Sequence, residues 1–295
     1  MKTVFFNGGL ANQVFQYIFY RYGQLTNSGD EWYLDDSFFY IWKMHNGYEL
    51  ERVFGLKPQL LSRSFTQDVW DYMIEERVKR NVGIPQLLEE SGMKLTVLAE
   101  DDYQLNYNSY NGEIKRFYGF DPKVVHLDGD IYYQGYYLRK DWFHAYKELF
   151  KRELKFPKIT DERNMRYLDR ILDGEAASLH IRRGDYVKLG FASDEDIPKY
   201  RYMVEQMYET IPDVRFFVFS DDTNWARAHG EELGLNLPRK ETVYVEGNSG
   251  LDAYKDLQLM SSCRHMILCN SSFCYLAALL NEHKGYILNP TDREI

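Results

Sequence analysis

Two adjacent arginines followed by a glycine and an aspartate, at 182–185, have side chains suited to binding an anion. They come directly after an apolar run from Ala177 to Ile181, which predicts a buried β-strand. In open α/β sheets, ligands bind where the parallel strands end. Guanidinium groups placed there suit phosphate, which their planar fork binds bidentately. The stretch therefore predicts a phosphate site, and a solvated loop with an internal ion pair stays open as the alternative.

Two further predicted strands end in polar groups. The strand at 215–220 is followed by Asp221 and Asp222, and the strand at 265–269 by an Asn-Ser-Ser triplet at 270–272. Hydroxyl and backbone N–H groups at a helix start bind phosphate, and carboxylates accept hydrogen bonds from a base or a ribose. We expect the three strand ends to face one crevice that suits a nucleoside diphosphate. Adjacent residues point to opposite sides of a strand, so only one arginine should reach the phosphate, while the other pairs with Asp185 or braces the loop.

The start of the chain has a second turn of interest. A strand at 3–7 runs into Gly8 and Gly9, and a helix predicted at 11–26 follows. The turn lacks the third glycine of a dinucleotide fingerprint and the pattern of a Walker loop. Asn12 and Gln13 place two amides in the first helical turn, and amides suit hydroxyl-rich ligands because they donate and accept hydrogen bonds. Simple helix capping explains them equally well.

Two patterns that resemble metal sites have simpler explanations. The Asp-Gly-Asp triplet at 128–130 precedes a strand instead of following one, and Asp-Gly turn chemistry accounts for it. The three cysteines, Cys263, Cys269 and Cys274, lack the paired short intervals of a zinc site. They are typical of reduced core thiols. We therefore expect no metal.

The composition narrows the class of protein. The chain has 295 residues, a net charge of −9 and 44% hydrophobic residues. The negative charge argues against a nucleic-acid groove and against a basic membrane patch. No apolar run is long enough to span a membrane, and the first residues do not form a signal peptide. We expect a cytoplasmic protein, and peripheral binding at the inner face of the membrane stays open.

The pattern of predicted elements indicates an α/β protein of two domains, 1–157 and 158–295. The second half alternates five apolar strands with helices, which predicts a doubly wound parallel sheet. The region 37–125 shows little periodicity and is predicted to be mostly helical with loops.

Several stretches resemble the α-1,2-fucosyltransferases, glycosyltransferase family eleven. The sequence at 180–185 is similar to that family's His-x-Arg-Arg-x-Asp motif. The sequence at 8–17 resembles its N-terminal Gly-Leu-Gly-Asn-Gln-x-Phe-Gln signature, with Ala11 in place of the usual glycine. Further similar blocks lie at 134–136, 219–225, 256–261 and 270–273.

The resemblance implies a GT-B-like fold in which 1–157 is the acceptor side and 158–295 is a Rossmann-like donor domain. It implies inverting transfer of L-fucose from GDP-fucose to the 2-hydroxyl of a galactose-type acceptor, with no metal or other cofactor. The biological setting would be bacterial cell-surface polysaccharide or oligosaccharide synthesis. It places Arg182 at the diphosphate, His180 and Asp256 near the guanine, Ser271 and Ser272 at a phosphate, and Asn12 near the reacting sugar.

Combined with the strand-end residues, this defines the candidate site. Its predicted members are a catalytic set of Asn12, Arg182 and Asp185, a donor-binding set of His180, Arg182, Arg183, Asp221, Asp222, Asp256, Ser271 and Ser272, and an acceptor-binding pair of Gly9 and Gln13.

Some alternatives stay open at this stage. Asp185 is the nearest candidate for a general base, but a role in orienting Arg183 is slightly preferred. The donor could be another GDP-sugar, or the linkage another fucosyl linkage. A non-catalytic nucleotide- or glycan-binding protein is a third interpretation, against which the intact Arg182 and Asn12 speak. Acceptor specificity is expected to reside in 37–125.

Overall fold

The computed structural model describes residues 1–101, 103 and 108–291. The chain divides into two compact units, Met1–Lys155 and Phe156–Ile295. Each unit contains a five-stranded sheet whose described strand pairs are all parallel. Parallel neighbours require crossover connections, so helices have to cover both faces of such sheets. The α/β class and the two-domain, GT-B-like organisation are thereby confirmed.

Unit 1 is built around the apolar strand β1, which is flanked by parallel neighbours on both sides. The strand order is β2-β1-β5-β3-β4. The strands are β1 Lys2–Phe5, β2 Trp32–Asp35, β3 Leu95–Glu100, β4 Ile114–Phe117 and β5 Asp130–Gln134. The helices are α1 Leu10–Thr26, α2 Phe38–Ile41, α3 Leu50–Phe54, α4 Gln67–Arg80, α5 Ile84–Glu90, α6 Lys140–His144 and α7 Lys147–Glu153, and short 3-10 turns lie at Leu61–Ser64 and Pro122–His126.

The expectation of a mostly helical region at 37–125 is wrong in part, because β3 and β4 lie within it. Strand β3 occupies the interior of the sheet, and its last four residues are buried. A short apolar run of this kind cannot be distinguished from a buried helix by periodicity alone. Strand β4 is an edge strand with two exposed basic residues, Lys115 and Arg116, a composition that suits an edge but gives little strand signal.

The Asp-Gly-Asp triplet lies at the amino-terminal end of β5. Gly129 has a φ of 79°, a left-handed conformation that favours glycine. Asp130 forms an ion pair of 2.6 Å with the amino group of Met1. The triplet is therefore a turn at the edge of the sheet opposite to the carboxyl ends of the strands.

Unit 2 confirms the predicted doubly wound sheet. Its strand order is β10-β9-β6-β7-β8, again entirely parallel. The strands are β6 Ala176–Ile181, β7 Arg215–Ser220, β8 Thr242–Tyr244, β9 His265–Ile267 and β10 Ile287–Leu288. The helices are α8 Glu162–Leu172, α9 Gly184–Lys188, α10 Ile197–Thr210, α11 Thr223–Ala228, α12 Tyr254–Ser262 and α13 Ser272–Leu280, and 3-10 turns lie at Asp194–Asp196 and Gly250–Asp252.

The strand order of unit 2 creates a crevice between β6 and β9. After β6 the chain moves to one side, through α10 to β7, and later returns to the other side to form β9. Side chains of α10 pack in one core with alternate residues of β6, Ala177, Leu179 and Ile181 among them. Helix α12 packs against both α13 and α8. Such a reversal of strand order is where ligands bind in open α/β sheets, and it falls at the end of β6.

Among the described residues, no helix combines the length and the apolar character that crossing a membrane requires.

Candidate active site

Arg182 lies immediately beyond β6 and is held by two carboxylates. Its Nη2 atom is 2.7 Å from Oδ1 of Asp185, and its Nη1 atom is 2.8 Å from Oδ2 of Asp221. The guanidinium carbon also lies 5.5 Å from the ring centre of Tyr186. A guanidinium has five N–H donors, so two carboxylate contacts leave others for a ligand. The side chain keeps 29% of its surface exposed, which leaves the fork positioned and accessible.

Arg183 points to a different set of partners. Its guanidinium carbon lies 3.8 Å from the ring centre of Trp225, and its Nη1 atom is 3.0 Å from Oδ1 of Asp194. Its side chain is more enclosed than that of Arg182, with 13% exposed. Arg183 thus braces the loop that precedes α10. Asp185 pairs with Arg182, which differs from the expectation that it would orient Arg183.

Asp221 joins the two arginines. Its Oδ2 atom contacts the Arg182 guanidinium, and its Oδ1 atom accepts a 2.8 Å hydrogen bond from the backbone N–H of Arg183. A Cβ atom at Gly184 would lie 2.5 Å from Oδ2 of Asp221, so the carboxylate fits only because that residue is glycine.

Asp222 has a different function from its neighbour. Its Oδ1 atom accepts a hydrogen bond of 3.0 Å from the backbone N–H of Trp225, and it caps the N-terminus of α11. This cap uses one carboxylate oxygen, so donor binding through the Oδ2 atom of Asp222 stays a prediction.

His180 is buried one strand position before Ile181 and faces away from the α10 core. Its Nδ1 atom lies 3.1 Å from Sγ of Cys269, and its ring centre lies 5.6 Å from that of Phe273. The Sγ atoms of Cys269 and Cys274 are 3.9 Å apart. His180 therefore contacts the β9–α13 connection and is only 5% exposed.

Asp256, near the start of α12, lies at the end of a partly buried network of amide side chains. Its Oδ1 atom accepts a 2.8 Å hydrogen bond from Nδ2 of Asn248. Asn248 and Asn164 exchange two further hydrogen bonds, of 2.7 and 2.9 Å, and Asn164 donates to Oδ1 of Asp161 at 2.8 Å. Both hydrogens of each amide group are thus used inside the network. Burial raises the pKa of Asp256 to about 7, although Asn248, His180 and Arg163 act to lower it.

Ser271 and Ser272 begin α13 on the β9 side of the crevice. Ser271 is the N-cap, and its Oγ atom accepts a 3.3 Å hydrogen bond from the backbone N–H of Phe273. A hydroxyl that accepts through a lone pair still has its own hydrogen to donate. Ser272 is the first helical residue and is partly exposed.

A small cleft of about 60 Å³ opens beside Arg182 within unit 2. Arg182 and Asn270 line it from the strand ends, and Tyr186, Lys199 and Tyr200 line it from the segment that follows β6. Positive charge, aromatic surface and polar groups therefore meet at the predicted edge of the sheet.

The two amide side chains at the start of α1, Asn12 and Gln13, have different environments. Gln13 is fully buried, donates from Nε2 to the carbonyl oxygens of Gly8 and Gly47 at 2.9 and 2.8 Å, and accepts from the backbone N–H of Glu49 at 2.9 Å. The prediction that Gln13 binds an acceptor directly is corrected, because these bonds use its amide. Asn12 is partly exposed, and its amide has no hydrogen-bond partner in the described part of the chain.

Gly9 is the N-cap of α1 and carries no side chain that could cap the helix. The turn is held against the neighbouring strand, because Gln16 accepts from the backbone N–H of Asn7 and donates to the carbonyl oxygen of Gly135. The adjacent ends of β1 and β5 therefore carry two of the blocks that the family resemblance rests on.

The structure thus brings together one group of predicted site residues in unit 2. Arg182, Arg183, Asp185 and Asp221 form one network of contacts. The imidazole of His180 acts to lower the pKa of Asp256. Sequence reasoning missed the partly buried Asn164–Asn248 pair, since an Asn in a Gly-Asn-Ser-Gly loop indicates only a turn. It also missed the brace at Trp225, although that residue lies in one of the blocks similar to the family.

Comparison with known proteins identifies the class that this fold and site define. The family model described as glycosyl transferase family 11 matches residues 93–294. The chain belongs to this family and is a glycosyltransferase.

Two curated proteins of Escherichia coli are similar to it. An alpha-1,2-colitosyltransferase is 25% identical over 294 residues, which cover 96% of this chain and 89% of the relative. The O-antigen biosynthesis glycosyltransferase WbnK is 35% identical over 123 residues, which cover 39% of this chain and 38% of the relative.

Solved structures align over nearly the whole chain at low identity. A structure of POFUT1 in complex with GDP aligns with 98% of this chain and 97% of its own at 13% identity and a TM-score of 0.49. The fucosyltransferase NodZ from Bradyrhizobium, as the selenomethionine protein, aligns with 95% of this chain and 91% of its own at 11% identity and a TM-score of 0.46.

Proposed function

We propose that this glycosyltransferase moves L-fucose from GDP-fucose to the 2-hydroxyl of a galactose-type acceptor, with inversion and without a metal ion. The observation that carries the proposal is the position of Arg182, whose fork is held at the end of β6, in the crevice that also contains the start of α13. Family membership and the residues similar to the α-1,2-fucosyltransferase motifs support it.

Asp256 is the proposed contact for the base of the donor. Asn248 occupies its Oδ1 atom, which leaves Oδ2 to accept hydrogen bonds from a ligand. The edge of guanine presents two adjacent donors, the N1–H and the 2-amino group, which match an ionised carboxylate. Adenine presents an acceptor at N1 and would be rejected. His180, on β6, is the proposed second residue of this guanine subsite.

The diphosphate is the proposed ligand of Arg182, with Ser271 and Ser272 donating from the start of α13. As the bond between sugar and phosphate breaks, negative charge grows on the leaving diphosphate. A positioned guanidinium stabilises that charge more in the transition state than in the ground state. Asp185 and Asp221 hold the fork in place, so we assign Asp185 a positioning role instead of the role of general base.

The acceptor hydroxyl would attack the anomeric carbon from the face opposite to the diphosphate, through an oxocarbenium-like transition state, which gives inversion. The sugar–phosphate bond breaks, GDP leaves, and the hydroxyl proton would be released to solvent. The free amide of Asn12 is the proposed contact with the transferred sugar. Gly9 lets α1 start without a capping side chain. Gln13 holds the turn in place through its hydrogen bonds to the backbone.

A second candidate donor is a GDP-linked 3-deoxy analogue of fucose. The relative that aligns with 96% of this chain is named an alpha-1,2-colitosyltransferase, and colitose differs from L-fucose by the absence of the 3-hydroxyl. Both candidates share the guanine and diphosphate subsites described above. They differ only in whether a group of the enzyme contacts the 3-hydroxyl.

The test is a donor and acceptor matrix with the full chain in EDTA. GDP-fucose, GDP-colitose and GDP-mannose would each be incubated with β-galactosides, and products assigned by mass spectrometry and NMR. An α-1,2-fucosyl product in EDTA is expected. Preference for GDP-colitose would replace the donor assignment, turnover of GDP-mannose alone would refute it, and GDP binding without turnover would identify a binding protein.

A further inference from the structure

Three soft metal-ligating side chains converge behind the strand ends of unit 2. His180 comes from β6, Cys269 from the segment after β9, and Cys274 from the first turn of α13. Their ligating atoms all lie within 4.8 Å of one another, and all three residues are buried. The proposed transfer reaction uses neither thiol.

We propose that His180, Cys269 and Cys274 form a binding site for a single thiolate-seeking cation, with Zn²⁺ as its natural occupant. This site differs from the metal sites of other nucleotide-sugar enzymes, in which the metal ion bridges the diphosphate of the donor. Hard cations such as Mg²⁺ and Mn²⁺ prefer oxygen ligands, whereas two sulfurs and an imidazole select zinc.

The distances between the ligand atoms fit a tetrahedral ion. With bonds of about 2.3 Å to sulfur and about 2.0 Å to nitrogen, two sulfurs lie about 3.8 Å apart, and a sulfur and a nitrogen about 3.5 Å apart. The Sγ atoms of Cys269 and Cys274 are 3.9 Å apart, and Nδ1 of His180 is 3.1 Å from Sγ of Cys269. A shift of a few tenths of an ångström at the imidazole would complete these two edges.

The charges of the site balance as well. Two thiolates neutralise a divalent cation, and the imidazole binds as a neutral ligand, so the complex carries no net charge into a buried position. The backbone N–H of Cys269 points to Sγ of Cys274 at 3.4 Å, a contact that stabilises a metal-bound thiolate. A path for the ion also exists, because Cys269 lines the wall of the cleft beside Arg182.

The spacing of the cysteines alone gave no indication of this site. The two thiols are five residues apart, which is longer than the usual zinc-binding interval, and the third ligand is distant in sequence. The parallel pairing of β6 and β9 brings the three together. A bound ion would therefore link the end of β6 to the start of α13.

Metal binding by the full-length enzyme, without donor or acceptor, tests the proposal independently of the proposed function. Chelator-treated protein would be titrated with Zn²⁺ and with Co²⁺, whose thiolate charge-transfer and tetrahedral d–d bands report the ligands. We expect one ion per chain and a higher melting temperature with Zn²⁺. The Cys269→Ser/Cys274→Ser double variant should lose both effects, whereas Cys263→Ser should retain them, since Cys263 is a buried thiol outside the cluster.

A second measurement uses only the wild-type protein, so that the test does not depend on whether the double variant folds. In native protein, bound Zn²⁺ should slow alkylation of Cys269 and Cys274 relative to the metal-free protein, as read by peptide mass mapping. Failure of the wild type to bind stoichiometric Zn²⁺, unchanged binding by the double variant, or equal alkylation with and without Zn²⁺ would each overturn the proposal.

Discussion

Nη1 of Arg182 lies 2.8 Å from Oδ2 of Asp221, a contact that ties the ends of β6 and β7 together. Asp185 holds the other terminal nitrogen of the same guanidinium. The fork is therefore fixed before any ligand arrives. Preorganisation of this kind is what allows a charged group to stabilise a transition state without paying for reorganisation.

Replacing Arg182 tests that arrangement. Arg182→Ala should lower kcat/KM by about 100- to 1,000-fold, the usual effect of removing one charge-stabilising donor. Arg182→Lys keeps the charge but loses the planar fork, so most of the loss should remain. Steady-state kinetics with saturating acceptor measure both effects, with circular dichroism to check folding. Near wild-type kcat/KM in the lysine variant would refute the assignment.

Asp221 and Asp222 offer a matched pair of neighbours with different functions. Asp221→Asn weakens the clamp on Arg182 and should lower kcat/KM, with little change in stability. Asp222→Ala removes the cap of α11 and should cost about 1 kcal/mol of unfolding free energy, with kcat/KM nearly unchanged. Urea unfolding and initial rates on both variants provide the comparison. Equal kinetic losses would contradict the assignment of Asp222 to the cap alone.

Asn12 and Gln13 form a second matched pair. Asn12→Ala removes an amide that has no partner in the described residues, so it should lower kcat and leave the melting temperature unchanged. Gln13→Ala leaves buried carbonyl and N–H groups unpaired and should cost about 1–3 kcal/mol of stability. Thermal melts and kinetics at a temperature where both variants are folded separate the effects. A stable Gln13→Ala protein with normal kinetics would contradict the assigned brace.

These pairs show how far the sequence could predict the site. The Arg-Arg-Gly-Asp stretch and the apolar strand before it were enough to locate the edge of the sheet, because strand and turn signals are local. The different functions of the two arginines, Arg182 and Arg183, and of the two aspartates that follow β7 could not be predicted. They depend on side-chain rotamers and on partners distant in the chain, such as Trp225 and Asp194 for Arg183.

The fold shows the same limit. Strands of unit 2 that are buried on both faces read as continuous apolar runs, and each predicted strand is present to within a few residues. In unit 1, β3 and β4 were missed, because a short interior run and a basic edge strand carry weak periodicity. Packing in the sheet, which a single sequence does not display, determines their conformation.

Titration of Asp256 should control donor binding. Its pKa is raised to about 7, chiefly by burial, and only the ionised carboxylate accepts both guanine donors. Affinity for GDP should therefore fall as pH drops through about 7, measured by calorimetry from pH 5.5 to 8.5. Asp256→Asn should lose this dependence and should bind XDP better than GDP, since xanthine replaces one donor by an acceptor. An unchanged pH profile in that variant would contradict the assignment.

The same group gives a stability prediction of defined sign. The folded-state pKa exceeds the ordinary aspartate pKa of 3.8, so the folded state binds the proton more tightly than the unfolded state. The contribution of Asp256 to stability is complete below the lower pKa and is lost as pH rises to about 7. Asp256→Asn should therefore gain stability relative to wild type at pH 8, with the difference shrinking toward pH 4.

Asn248 should tune that titration. Its hydrogen bond to Oδ1 favours the ionised form of Asp256, so Asn248→Ala should raise the pKa of Asp256. The pH at which GDP affinity falls would then move upward, while affinity at high pH would change less. Lys199→Ala, which removes a charge from the cleft beside Arg182, is the control for a general loss of affinity. A uniform loss at all pH values would indicate a merely structural role for Asn248.

The close approach of Gly184 to Asp221 restricts how this protein can diverge. Any side chain at 184 would collide with the carboxylate that locates Arg182, so a single substitution there displaces two other functional positions. A residue other than glycine at 184 would therefore require the Asp221 carboxylate to shift, and its contact with Arg182 would shift with it. Substitutions at positions 184 and 221 are therefore expected to depend on each other, although the two residues lie 37 positions apart in the sequence.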